Sequence, residues 1–160
     1  MNILKKSLIS TASVLLVGAS LVAPTAAFAT SATQSTTAPG GKLTSNFWIQ
    51  SIASGDSGNF LVSAVYNGSA NLSSPNYIET SWSFYAEGID VSVTFMGFGG
   101  SAGGSGYSGT SSGYWENNNG ATSAWYPGNV IAHGLTFYVG GDNTASMFAL
   151  GVPASVTAGV

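Results

Sequence analysis

Ile89-Asp90-Val91-Ser92-Val93-Thr94-Phe95-Met96-Gly97-Phe98 is the stretch on which the reading of this chain turns. Ile89, Val91, Val93 and Phe95 alternate with smaller or polar residues, and β-branched and aromatic side chains dominate. Both features specify a half-buried β-strand. The stretch then runs into Gly97–Gly113, where nearly every second or third residue is glycine. Glycine within strands marks bends, bulges and close backbone approach. The expectation is a central strand that bends sharply inside a small closed sheet, continuing as a coiled pair of glycine-containing strands, with a loop over residues 97–113 as the alternative.

The residues just upstream strengthen the strand reading. In Tyr77–Ala86 the alternation puts Ile78, Thr80, Trp82, Phe84 and Ala86 on one face and Tyr77, Glu79, Ser81, Ser83 and Tyr85 on the other. Glu87-Gly88 is suited to a two-residue turn, since glycine accepts the positive φ of a tight hairpin. That turn would set Ala86 opposite Ile89, Phe84 opposite Val91, Trp82 opposite Val93 and Thr80 opposite Phe95. Apolar residues then meet on one face, and a one-residue slip would destroy the match.

Working outward, Phe47–Ala53 and Phe60–Tyr66 are β-prone runs separated by the turn-rich Ser54–Asn59, and they suit a hairpin. Downstream, Tyr114-Trp115 leads into a turn at Glu116–Gly120, and Ala124–Tyr126 is a short strand stopped by Pro127-Gly128. Asn129–Val139 is a long strand, Gly140–Asn143 a turn, and Thr144–Leu150 the return, with Leu135 opposite Phe148. Residues 152–160 form a last apolar run whose Pro153 suits a sheet edge. No ten-residue window combines a helical apolar period with caps.

The two ends of the chain read differently. Lys5 and Lys6, the apolar run Leu8–Ala23 and the small-residue site Ala27-Phe28-Ala29 form a secretory signal peptide over residues 1–29. The apolar run falls short of the roughly 20 residues that span a bilayer. Residues 30–45, rich in Thr, Ser, Ala, Pro and Gly, read as a flexible leader. The domain boundaries expected are therefore 1–29, 30–45 and 46–160, the last a single all-β domain of about eight short antiparallel strands closed into a barrel.

Composition limits function. Beyond the signal, Lys42 is the only basic residue, against Asp56, Glu79, Glu87, Asp90, Glu116 and Asp142, and the chain has no Arg. Nucleic-acid binding, which relies on cations at phosphates, is excluded, and attraction to anionic lipid is disfavoured. With no Cys there is no disulfide framework, thiolate nucleophile or Cys-based metal site. Solubility rests on Ser, Thr, Asn and Gly. Such a surface suits a bacterial exported protein, a self-associating one, or one that meets a membrane or carbohydrate, and composition does not choose among these.

Candidate sites are few. Gly104-Ser105-Gly106-Tyr107-Ser108-Gly109 carries the letters of a dinucleotide fingerprint, but no helix follows whose amides would hold a pyrophosphate. His133, the only His, alternates with Ile131, Leu135 and Phe137 and reads as a structural residue. A single His falls short of a metal site, and no Gly-x-Ser-x-Gly elbow accompanies it. Glu79, Glu87 and Glu116 raise the two-carboxylate chemistry of glycosidases, although Glu79 is expected on the exposed face and the others in turns. Trp48, Tyr77, Tyr85, Tyr107, Tyr114, Trp115, Trp125 and Tyr126 exceed what a small core needs; core and barrel-end packing is the commoner use of such residues, and stacking on sugars or placement at a membrane interface is the alternative for exposed ones. Asn67-Gly68-Ser69 and Asn71-Leu72-Ser73 fit the glycosylation sequon, which matters only in a eukaryotic secretory pathway. No catalytic, cofactor-binding or metal residue is assigned, and no cofactor is expected.

Phe95–Gly106, the aromatic-bearing stretch near Trp115, Leu135–Val139, the Gly141-Asp142-Asn143 turn and Ala149-Leu150-Gly151 resemble the virulence-associated Vap family of secreted bacterial proteins. The resemblance spans residues 85–160. It implies a compact eight-stranded antiparallel barrel after a flexible leader, without a catalytic site, acting at host membranes or phagosomes. The resulting expectation is a secreted, glycine-rich, non-enzymatic β-barrel acting at a host membrane or glycan surface. A carbohydrate-binding module and an oligomerising pore-former are the alternatives.

Overall fold

The computed structural model describes residues 29–52, 57–69, 74–97 and 110–160. The signal-peptide reading of residues 1–28 and most of the glycine-rich run, residues 98–109, lie outside them. The described chain is all β: β1 (Thr30–Ala38), β2 (Gly41–Ile49), β3 (Ser57–Gly68), β4 (Tyr77–Gly97), β5 (Thr110–Asn117), β6 (Ser123–Ala149) and β7 (Val152–Gly159). They form one antiparallel sheet of seven strands in the order β1-β2-β3-β6-β4-β5, with β7 also on β6. The hydrogen-bonded ladder does not close. β1 packs near β7 without a ladder between them among the described residues.

Two long strands organise this sheet. β6 pairs with β3 through Ser123–Ile131 and with β7 through Asp142–Ala149. Along its other edge it pairs with β4, from Gly128↔Gly97 to Phe148↔Tyr77. A strand that leaves one set of neighbours and joins another turns a corner between two layers. The turn lies where the β4–β6 register shifts, between Glu87 and Gly88 and again between Ile89 and Ser92. Asp90 (φ 53°) and Gly134 (φ 80°) both take left-handed backbone conformations at this corner. Gly134 is required there, because a Cβ would collide with the Asp90 carbonyl oxygen.

Three sequence expectations are corrected here. Residues 30–45 are not a flexible leader: Thr30–Ala38 pairs residue for residue with Gly41–Ile49. β1 buries only Ala38 among its own residues, so its sequence lacks the apolar period that marks a strand. Glu87-Gly88 is not a hairpin turn, and Trp82 faces Asn143 of β6 and Gly113 of β5 rather than Val93. Likewise Pro127-Gly128 and Gly140–Asn143 do not end strands, and Phe148 faces Tyr77, not Leu135. Gly128 and Gly141 instead admit neighbours. A Cβ on Gly128 would sit 2.5 Å from the Phe60 ring, and one on Gly141 would strike the Ser83 carbonyl and the Phe47 ring.

Other expectations hold. β2 and β3 form the anticipated hairpin, with Phe47↔Val62 and Ile49↔Phe60. β7, carrying Pro153, is an edge strand on β6. Trp82, Phe84, Val93 and Phe95 all face inward.

The interior holds two apolar clusters. One centres on Phe47, Phe60, Trp82, Phe84 and Phe95; the other on Leu43, Tyr66, Ile78 and Met147. Asn143, fully buried, carries polar contacts through this interior. Its Oδ1 accepts from Thr80 Oγ1 at 2.6 Å, and its Nδ2 donates to Ser45 Oγ at 2.9 Å and to the Ser63 carbonyl at 3.1 Å. Ser45 Oγ in turn donates to the Asn143 carbonyl at 2.7 Å. β2, β3, β4 and β6 are thereby joined through one side chain.

Candidate functional site

Three surface features collect the side chains that chemistry or binding would use: a projecting corner, a carboxylate trough and an aromatic groove.

The corner is the two-stranded ribbon of Ala86–Val93 and Ala132–Val139, which no third strand flanks among the described residues. Glu87, Gly88, Ile89 and Asp90 are consecutively exposed, as are His133, Gly134 and Leu135. Exposure at successive residues puts side chains of both faces in solvent at the tip, while Thr136 beside them is buried. At its tip Ile89 faces Leu135, and Phe137, skipped by the ladder, lies beside them. These three side chains are 57, 53 and 71% exposed. His133 sits here, opposite Ser92, and its carbonyl accepts from Thr136 Oγ1 at 3.2 Å. At the base, Tyr138 packs on Tyr85 with ring centres 5.9 Å apart. Burial first, then Tyr85 and Glu87, pushes the Tyr138 hydroxyl above its ordinary value.

The trough lies on the outer face of β4, β5 and β6. Glu79 and Glu116 are direct cross-strand partners. Both lie in strands, so the turn placement expected for Glu116 is corrected, and Glu79 is half-buried rather than exposed. Burial, and secondarily the Glu116 carboxylate, raises the Glu79 carboxyl above its ordinary value. Glu87 is in β4 at the corner, away from this pair and outside the expected turn. Ser81, Ser83, Ser112, Tyr114, Asp142 and Thr144 complete the trough, an open space of about 500 Å³. Two of its serines are engaged: Ser83 Oγ donates to Asp142 Oδ2 at 3.1 Å and Ser81 Oγ to the Thr144 carbonyl at 3.4 Å. Among the described residues no His or cation lines it. Among the described residues no group of His, Cys, Asp and Glu is arranged to hold a metal ion.

The groove opens where β5 meets the start of β6. Trp115, Asn117, Trp125, Tyr126 and Pro127 line about 380 Å³. Tyr126 forms its inner wall and is fixed from behind, stacked on Trp82 at 4.6 Å and 22° and on Phe60 at 6.4 Å and 29°. Trp115 leans on the same ring at 6.2 Å. Asn117 Nδ2 donates to the Ser123 carbonyl at 2.7 Å, which sets the amide at the rim. Gly113 makes this arrangement fit, since a Cβ there would lie 2.8 Å from both Phe95 and Trp82.

Of the remaining aromatics, Tyr77 stacks flat on Phe148, and Tyr85 donates to the Val160 carbonyl at 3.0 Å. Trp48 is on the outer face opposite Leu61 and Pro127, the three forming one row across β2, β3 and β6. Tyr107 and the fingerprint Gly104–Gly109 lie outside the described residues. Sequence reasoning singled out Trp115, Trp125 and Tyr126 but did not place them together. The apolar corner it missed, because Ile89, Leu135 and Phe137 carry the pattern of buried strand residues.

Searches of protein-family models, of curated proteins and of solved structures return no match to this chain. No helix of the described residues is long and apolar enough to cross a membrane.

Proposed function

We propose that this protein is exported and acts by surface contact, without doing chemistry, and that the apolar corner is the part that meets a membrane. The exposed Ile89, Leu135 and Phe137 on a projecting ribbon carry this reading. Completing the burial of three such side chains contributes about 4 kcal/mol, since each is already partly covered. That corresponds to a dissociation constant of about 1 mM, the strength of reversible, peripheral attachment rather than a spanning structure. With Lys42 the only basic residue described, the attachment depends on apolar insertion and not on anionic lipid. In this reading the sheet behaves as a small barrel, completed by packing of β1 near β7. The signal-like residues 1–29 and the Vap-like C-terminal half support a secreted factor directed at host surfaces.

The test is flotation of the exported protein with neutral phosphatidylcholine vesicles, alongside dye release. The wild-type chain is expected to float with the vesicles without releasing dye, and a Leu135→Asp, Phe137→Asp variant to remain in solution. Equal flotation of the variant, or no flotation of the wild type, overturns the reading. Dye release would instead favour the pore-former.

A further inference from the structure

The groove beside Trp115 belongs neither to the corner nor to the carboxylate trough. We infer that it is a binding site for a neutral glycan. A pyranose ring offers C–H groups on its faces and hydroxyls around its rim. The groove offers the complement. Two exposed indoles, Trp115 and Trp125 at 47 and 59% exposed, flank a tyrosine ring, and aromatic faces attract C–H groups through their negative quadrupole. Asn117 spends one amide N–H on the Ser123 carbonyl, which fixes the side chain. Its second N–H and its carbonyl oxygen have no partner among the described residues and can serve ring hydroxyls.

Charge decides between ligand classes. Among the described residues no charged side chain lines the groove, so a phosphate, sulfate or uronate would find no countercharge, and a neutral sugar needs none. Shape separates sugar from lipid. Lipid insertion uses side chains that project, as at the corner, whereas these rings face a concavity already braced by Trp82 and Phe60. Preorganised walls reduce the ordering cost of binding. An apolar row continues beyond the groove, from Pro127 through Leu61 to the indole of Trp48, and this favours a polymer over a single sugar.

The experiment is affinity electrophoresis of the exported protein through gels holding xylan, mixed-linkage β-glucan, galactomannan or soluble starch, with pull-down on cellulose and chitin. At least one polymer is expected to retain the protein. Trp115→Ala and Trp125→Ala should each weaken retention about tenfold, the scale of one lost stacking contact. Tyr114→Ala, which alters the opposite face of β5, and Phe137→Asp should retain wild-type binding. Both tryptophans are largely outside the core, and circular dichroism verifies that the variants fold. The inference is overturned if no polymer retains the protein, or if both Trp variants bind as wild type. A proline-rich peptide quenching groove tryptophan fluorescence while every polysaccharide fails overturns it equally. The corner reading rests on other residues and survives any of these outcomes.

Discussion

Asn143 makes an apolar interior specific. An amide placed among Ser45, Thr80 and the Ser63 carbonyl is satisfied only if four strands hold their register, so a slipped pairing would leave polar groups buried without partners. Asn143→Ala should therefore destabilise the fold by about 3 kcal/mol, combining lost hydrogen bonds with stranded hydroxyls at Ser45 and Thr80. Urea denaturation measures it, and a loss below about 1 kcal/mol would show that the contacts contribute little. Glu79 is a second residue-scale case. Its carboxyl is raised above 4.5 in the folded protein, so the folded state holds the proton more tightly than the unfolded chain. Its ionisation then costs stability, and the cost appears as pH rises through the raised value and vanishes below about 4.5. Glu79→Gln should stabilise the protein at pH 7 relative to wild type, with the difference disappearing near pH 4. An unchanged difference at both pH values would contradict a Glu79 carboxyl raised by burial.

β4 and β6 show where glycine serves packing and where it serves a turn. Gly141 lies in the middle of β6, with the Ser83 carbonyl and Phe47 ring against it, whereas Gly151 sits in the β6–β7 turn at φ 77° with open space around it. Gly141→Ala should cost more than about 2 kcal/mol through overpacking. Gly151→Ala should cost about 1 kcal/mol, the conformational strain alone. Thermal denaturation of the two variants checks the order, and equal losses would contradict it. This distinction also explains what the sequence concealed. Trp82 and Phe84 face inward at even positions and Val93 and Phe95 at odd ones. A two-residue turn and a bulge both reverse that parity, so the pattern identified the core residues but not the connection. Inward-facing residues, strand content and the β2–β3 hairpin were legible, because alternation reports burial directly. The long pairing of β4 with β6 was not, because Gly128, Gly140 and Gly141 read alike as turn residues and as sites of close approach. β1 was hidden for another reason: an outward-facing edge strand of Thr and Ser has the composition of a flexible segment.

At the scale of the whole molecule, a sparsely charged sheet protein gathers its exposed apolar and aromatic side chains in few places. Two regions stand out, the corner and the groove, and both lie on β6, from Trp125 to Phe137. They are separated by about 40 Å of extended strand, less whatever the corner's bend removes, so on the readings proposed above one molecule would meet a lipid surface and a glycan at once. If contact is apolar, vesicle binding should be indifferent to ionic strength, since screening acts only on charge. Flotation at low and high salt tests this, and a steep loss in salt would assign binding to charged groups instead. The most direct measurement is an amide-resolved nuclear magnetic resonance titration of the labelled protein with neutral phosphatidylcholine bicelles. Broadening confined to Ile89, Asp90 and the segment from His133 to Tyr138, with Trp115 and Trp125 unmoved, is the result this account predicts. Perturbation centred on the groove or spread evenly over the sheet, or none at any bicelle concentration, would contradict it.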